Sequence, residues 1–109
     1  RDYIHVEDLA DAHIRAMSHL RVDGDSLTVN LGNSIGNSVL EVIETVKSVT
    51  GQNFPVEIHD RRRGDADRLV ASSEKAQHVL GWSPKKGDIQ TIVSDAWNFI
   101  QTHPDGYDK

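Results

Sequence analysis

No cysteine occurs in the 109 residues, which excludes a disulfide framework and a thiolate metal site. The same absence is compatible with a reducing, cytoplasmic setting. No apolar run approaches the roughly 18–20 residues of a membrane helix, and no signal-peptide pattern precedes the first element. No membrane partner is therefore expected. Positive charge is outnumbered: 12 Lys and Arg stand against 17 Asp and Glu, for a formal net charge of -5. An extended basic face is excluded, and with it general binding to nucleic acid. Several catalytic phrases are also missing. There is no G-x-G-x-x-G, no Walker A loop, no HExxH and no G-x-S-x-G.

What is present fits one small domain with one core: 37% hydrophobic and 27% charged residues. The sequence opens on Arg1, not methionine, as the interior of a longer or processed chain would. Its most conspicuous stretch is Arg61-Arg62-Arg63-Gly64-Asp65, three guanidinium groups in an acidic chain. It lies between the apolar runs Pro55–Ile58 and Leu69–Ala71, as a loop between strands would. Arginine forks onto phosphate oxygens, so the cluster suggests a small anionic ligand. The plainer reading is a solvated turn paired with Asp60, Asp65 and Asp67.

In chain order, Arg1 to Val6 read as an extended lead-in. Leu9, Ala12, Ala16, Met17 and Leu20 share one helical face, which predicts a helix from about Asp8 to Leu20 with carboxylates at its start. Asp23-Gly24-Asp25 reads as a turn. Leu27, Val29 and Leu31 alternate with polar residues and predict a strand. A tight loop follows from Gly32 to Asn37. Ser38 and Glu41 have capping-box spacing, opening a helix that Gly51 stops. Pro55 to His59 and Leu69 to Ala71 predict two more strands. Ser72 or Ser73 caps a short helix ending at Leu80-Gly81, after which Trp82-Ser83-Pro84 breaks away. Asp88 caps a last helix, ended by His103 to Gly106. About four helices and three short strands in alternation predict an α/β class, or a small α+β-like unit.

The loop from Gly32 to Ser38 stands where a phosphate could meet a helix N-terminus, but a strand-to-helix turn explains its glycines as well. The six histidines, His5, His13, His19, His59, His78 and His103, match no metal-ligand spacing, so no metal is expected. Glu7, Asp8 and Asp11 are explained by capping and the helix dipole. Tyr3 has no lysine four residues on, because Glu7 stands there. It can stack or hydrogen-bond, but the Tyr-xxx-Lys pair of a catalytic tyrosine is missing.

The stretch from Arg1 to His13 resembles a signature of UDP-glucose 4-epimerases. Asn30-Leu31-Gly32 with Gly36-Asn37-Ser38-Val39 resembles the next. Arg61 to Asp65, Leu69 to Ser72, Lys75-Ala76, Leu80-Gly81-Trp82 and Ala96-Trp97 follow in matching order. The likeness is to the C-terminal third of that enzyme, an extended short-chain dehydrogenase/reductase of Rossmann type. It implies that the whole chain, residues 1–109, is the UDP-sugar-binding portion of a longer protein whose NAD-binding part lies upstream.

By this resemblance Arg1, Asp2 and Tyr3 belong to the UDP-sugar grip, Arg62 meets the diphosphate and Asp65 the ribose. Arg61 is supportive, and Arg63 carries no assigned role. Ser34 stands where relatives commonly have glycine. The implied activity is NAD-dependent interconversion of UDP-glucose and UDP-galactose through a 4-keto intermediate. No catalytic or NAD-binding residue is expected in this chain, so in isolation it should neither bind NAD nor epimerise. A cytoplasmic, homodimeric parent is implied. The apolar face of Leu9, Ala12, Ala16 and Leu20 is expected to be exposed and to promote self-association. The alternatives are another reductase acting on UDP-sugars (a UDP-glucuronate decarboxylase or an N-acetyl-sugar epimerase), a free-standing phosphate-ligand module, and a nucleic-acid contact through Arg61 to Arg63. The last is disfavoured by net charge and by the lack of interleaved aromatics.

Overall fold

The computed structural model describes residues 1–22 and 24–107. Four helices follow one another: α1 (Val6–Val22), α2 (Val39–Thr50), α3 (Glu74–Leu80) and α4 (Ile89–Thr102). The predicted turn at 23–25 includes Asp23, which lies outside the described residues.

Each helix has a local cause at its ends. In α1, Glu7 and Asp8 sit in the first turn and His19 and Arg21 in the last, complementing the dipole. It runs two residues further at each end than the predicted span from Asp8 to Leu20. At α2 the capping box is complete: the Ser38 hydroxyl accepts the Glu41 N–H at 3.0 Å, and the Glu41 carboxylate accepts the Ser38 N–H at 2.8 Å. Gly51 ends α2 in the left-handed region, φ 69°. The Asp88 side chain accepts from Thr91 N at the start of α4. Ser73 stands at the N-cap position of α3 but makes no side-chain cap bond. Its hydroxyl instead accepts from Gly32 N at 2.9 Å and donates to Gly32 O at 2.7 Å.

The predicted α/β class is wrong for this chain. Among the described residues there is no strand and no sheet, and all regular structure is helical. The alternation at Leu27–Leu31 does encode half-burial: Leu27, Val29 and Leu31 are partly covered while Thr28 and Asn30 are exposed. A strand also needs a ladder partner for its N–H and C=O groups, and no ladder forms among the described residues. Residues 55–59 are exposed throughout, and at the end of 69–71 the Ala71 N–H and C=O are taken by the side chains of Asp2 and Ser34 instead of a ladder. Periodicity records which face is covered, not what the backbone pairs with.

The core lies between α1 and α3. Ala12, Ala76, Leu80 and Trp82 are buried together, with Ile4, Ala16, Leu27, Val29 and Leu31 against them. Trp82, which reads in sequence as the point where the chain breaks away, is fully buried, and its indole N–H donates to the Asp8 carbonyl at 2.8 Å. The Asp8 carboxylate accepts the N–H groups of Lys85 and Lys86, each at 3.0 Å. Asp8 thus does more than complement the dipole: it ties the 82–86 loop onto α1. Helices α2 and α4 pack against each other. His5 joins the two halves. Its Nδ1 accepts the Glu7 N–H at 3.0 Å at the start of α1, so Nε2 carries the proton shared with Asp95 of α4 at 2.8 Å. Lys86 bridges Glu7 and Asp95, and its pKa is raised, chiefly by the hydrogen bond to Glu7.

The exposed face of α1 differs from expectation. Ala12 is buried, and Leu9 and Ala16 are half-buried. Leu20 is exposed as expected, and the other exposed large apolar residues of α1 are Val6, Ile14, Met17 and Val22. Among the described residues no helix is long and apolar enough to cross a membrane.

Candidate functional site

Arg1, Asp2 and Tyr3 form a short segment leading into α1, flanked by the Gly32–Asn37 loop and residues 66–71. Arg1 and Asn37 exchange both backbone bonds: Arg1 N to Asn37 O at 2.8 Å and Asn37 N to Arg1 O at 2.7 Å. The Arg1 guanidinium donates to the Ala66 carbonyl at 3.0 Å, one residue beyond Asp65. The two stretches that carry the arginines are thereby joined across more than sixty residues of chain. A cleft of about 400 Å³ lies between Arg1, Asp2, Asn30, Leu31, Leu69, Val70 and Ala71.

The arginine loop is a tight turn. Asp65 N donates to Arg62 O at 3.2 Å, and Gly64 between them has φ 91°, a conformation that glycine adopts without a Cβ penalty. Arg62 Nε donates to Asp65 at 3.2 Å, with the Arg62 side chain 86% exposed. Arg61 pairs with Asp67. The expected pairing with local carboxylates is therefore present at Asp65 and Asp67. It leaves the guanidinium of Arg62 mostly in water, where it can turn to another anion at small cost.

Of the five sequence-derived site residues, Arg1 and Asp2 line the cleft. Tyr3, Arg62 and Asp65 do not. Tyr3 is half-buried, its carbonyl held by the Asn33 side-chain amide. Asp65 is half-buried at the base of the turn.

Two residues beyond these five also shape the site. Asn33 donates its backbone N–H to Asp2 and its side-chain amide to Tyr3, while its Oδ1 is buried without a partner among the described residues. Nothing in its spacing marks it, because both partners come from elsewhere in the chain. Ser34 does have a signal. It stands where the resemblance leads one to expect glycine, and its φ is 61°, the left-handed region. Its hydroxyl donates to the Ala71 carbonyl at 2.9 Å, giving this serine a cross-link that glycine lacks.

The α2 N-terminus does not fit the pyrophosphate of a dinucleotide. Ser38 occupies a first-turn N–H of α2, and the Glu41 carboxylate sits on the cap itself. An anion approaching there meets a like charge where a nucleotide fold offers open amides. Among the described residues no group of three or more His, Asp or Glu is placed to hold a metal ion.

No family model matches the chain. Individual proteins do. It is 57% identical over 107 residues to a UDP-glucose 4-epimerase of Halalkalibacterium halodurans, covering 98% of this chain and 32% of that protein. A solved UDP-glucose 4-epimerase superposes on all of this chain with TM-score 0.92 and 49% identity, over 33% of its own length. The Bifidobacterium longum UDP-glucose 4-epimerase, solved in complex with NAD+ and UDP, gives TM-score 0.84 at 35% identity, covering 98% of this chain and 31% of its own. Over nearly its whole length the chain is similar to UDP-glucose 4-epimerases, which are sugar-nucleotide epimerases, and it spans about a third of the length of the relatives it matches.

Proposed function

We propose that this chain is the UDP-sugar-holding, C-terminal portion of an enzyme that interconverts UDP-glucose and UDP-galactose. Support comes first from the join between Arg1 and Ala66, which brings together the two segments whose arginines would grip a diphosphate. Two guanidinium groups from separate segments can neutralise one diphosphate from two sides. Arg1 and Tyr3 stand on the segment before α1, Arg62 and Asp65 on the arginine turn. Arg62 takes the diphosphate and Asp65 the ribose. Asp65 accepts one Arg62 bond, which aims the guanidinium and leaves its other N–H donors for the ligand.

NAD would be held outside these residues, consistent with the poor fit at the α2 N-terminus. When bound in the parent, it supplies the hydride acceptor. The part played by this chain is to anchor the nucleotide end, so that binding energy remote from the reacting sugar holds it through turnover. The same reading gives the parent a cytoplasmic location and a homodimeric state, and predicts no turnover by residues 1–109 alone.

The test is epimerisation of UDP-galactose by the full-length protein, followed by oxidation of the UDP-glucose formed. Arg62→Ala should raise KM for the UDP-sugar with little change in kcat. A wild-type protein that binds neither UDP nor UDP-galactose would sink the reading.

A further inference from the structure

Asp2 belongs to the expected ligand grip, yet both of its carboxylate oxygens are committed to the backbone. Oδ1 accepts the N–H of Asn33 at 2.8 Å. Oδ2 accepts the N–H groups of Ser34 at 3.2 Å and Ala71 at 3.1 Å. A carboxylate holding three backbone N–H groups has little accepting capacity left, and a diphosphate would repel it.

Gly32 gives an independent observation. A Cβ there would fall against the Asp2 carboxylate, 2.9 Å from Cγ and 3.1 Å from the Ala71 Cβ. Gly32 is not among the glycines in the left-handed region, so its requirement is for space. That space is filled by Asp2. Asn33, the next residue, passes the contact on by holding the Tyr3 carbonyl with its side-chain amide. Arg1, covalently next to Asp2, has its backbone fixed by Asn37 and its guanidinium by Ala66.

We infer that Asp2 is a positioning residue and not a ligand contact: with Gly32 and Asn33 it forms a latch that holds Arg1 and Tyr3 in register with residues 66–71. This deepens the UDP-sugar reading and rests on it. The latch acts on the anchor end of the substrate, so its loss weakens ground state and transition state alike. Such a loss raises KM and spares kcat.

Two variants of the full-length protein test the latch from opposite sides. Asp2→Asn is isosteric but keeps one acceptor oxygen and adds two N–H donors that face backbone donors. Gly32→Ala keeps the carboxylate and displaces it. Both should raise KM for UDP-galactose and the inhibition constant of UDP by about tenfold, the size of a lost charge-assisted hydrogen bond, with kcat within about twofold. In both, amide exchange should accelerate at Asn33, Ser34 and Ala71 but not in α4. A direct ligand contact predicts otherwise: Asp2→Asn would raise KM, Gly32→Ala would not, and exchange at the three amides would stay unchanged. That result overturns the latch, as would a fall in melting temperature with KM and kcat both unmoved. Ser34→Ala, which removes only the hydroxyl bond to Ala71, covers the case in which the stronger variants fail to fold. It should raise KM by about twofold, and an unchanged KM counts against the latch. If the wild type shows no epimerase activity and binds no UDP, the UDP-sugar reading fails. The exchange pattern of Asp2→Asn and Gly32→Ala still decides whether the latch exists.

Discussion

Arg62 and Arg63 are adjacent, both exposed, and different in what they touch. Arg62 is aimed by Asp65 at 3.2 Å. Arg63 makes no ion pair among the described residues. An exposed pair such as Arg62–Asp65 contributes at most about 1 kcal/mol to stability. Arg62→Ala should therefore leave the melting temperature nearly unchanged. It should weaken UDP binding by about ten- to a hundredfold, the usual range for a hydrogen bond to a charged group. Arg63→Ala should alter neither. Calorimetric UDP titration of the full-length variants, beside thermal melts, separates the three. The same residues show how far a sequence carries. The glycine between Arg62 and Asp65 announces the turn that joins them. Ser34 was legible as a departure, and its left-handed backbone gives that departure a physical meaning. Asn33 and His5 were not legible. Each acts through partners remote in sequence: Asn33 through Asp2 and Tyr3, His5 through Asp95. A local pattern records nothing of such partners.

At the scale of elements, the helices were written locally and the extended segments were not. Caps, dipole charges and apolar stripes are properties of neighbours in sequence, so Ser38, Gly51 and Asp88 could be read directly. Ser38→Ala removes the hydroxyl that accepts the Glu41 N–H, leaving the backbone half of the capping box, and should cost about 1 kcal/mol. Urea unfolding of the wild type and variant checks this, with a shifted midpoint at unchanged slope as the expected result. Asp88 gives a pH dependence. Its pKa is lowered from the ordinary 3.8, first by the hydrogen bond from the Thr91 backbone and then by the Thr91 hydroxyl. A depressed carboxylate pKa contributes stability above the unfolded value, and that contribution disappears as pH falls through the folded value. Amide exchange in the first turn of α4 should rise as pH drops below about 4, and Asp88→Asn should remove that dependence. Strands follow a different rule. The alternation at Leu27, Val29 and Leu31 gave the covered face correctly, but pairing depends on a second segment, and no ladder forms among the described residues.

The whole molecule is open. Its radius of gyration is 16.8 Å, against about 13 Å for a compact chain of this length. Its accessible surface is 8476 Å², against about 6,000 Å² for a compact protein of 12 kDa. The excess includes Ile14, Met17, Leu20 and Val22 on α1 and Ile58 and Leu69 beside the arginine turn. Surface of this kind favours association. Residues 1–109 alone should therefore self-associate, and sedimentation across a concentration series tests this, with a concentration-independent monomer as the contrary result. The small buried core makes Trp82 the residue on which the α1/α3 half depends. Trp82→Ala should cost about 3–5 kcal/mol, enough to unfold residues 1–109 when judged by near-ultraviolet circular dichroism. The most direct measurement for the central claim is UDP-galactose turnover by the full-length protein carrying Arg62→Ala, set beside the wild type. The expected result is epimerisation by both, with KM raised at least tenfold in the variant and kcat nearly unchanged. Wild-type turnover with an unaltered KM in Arg62→Ala would contradict the assignment of the diphosphate to the arginine turn.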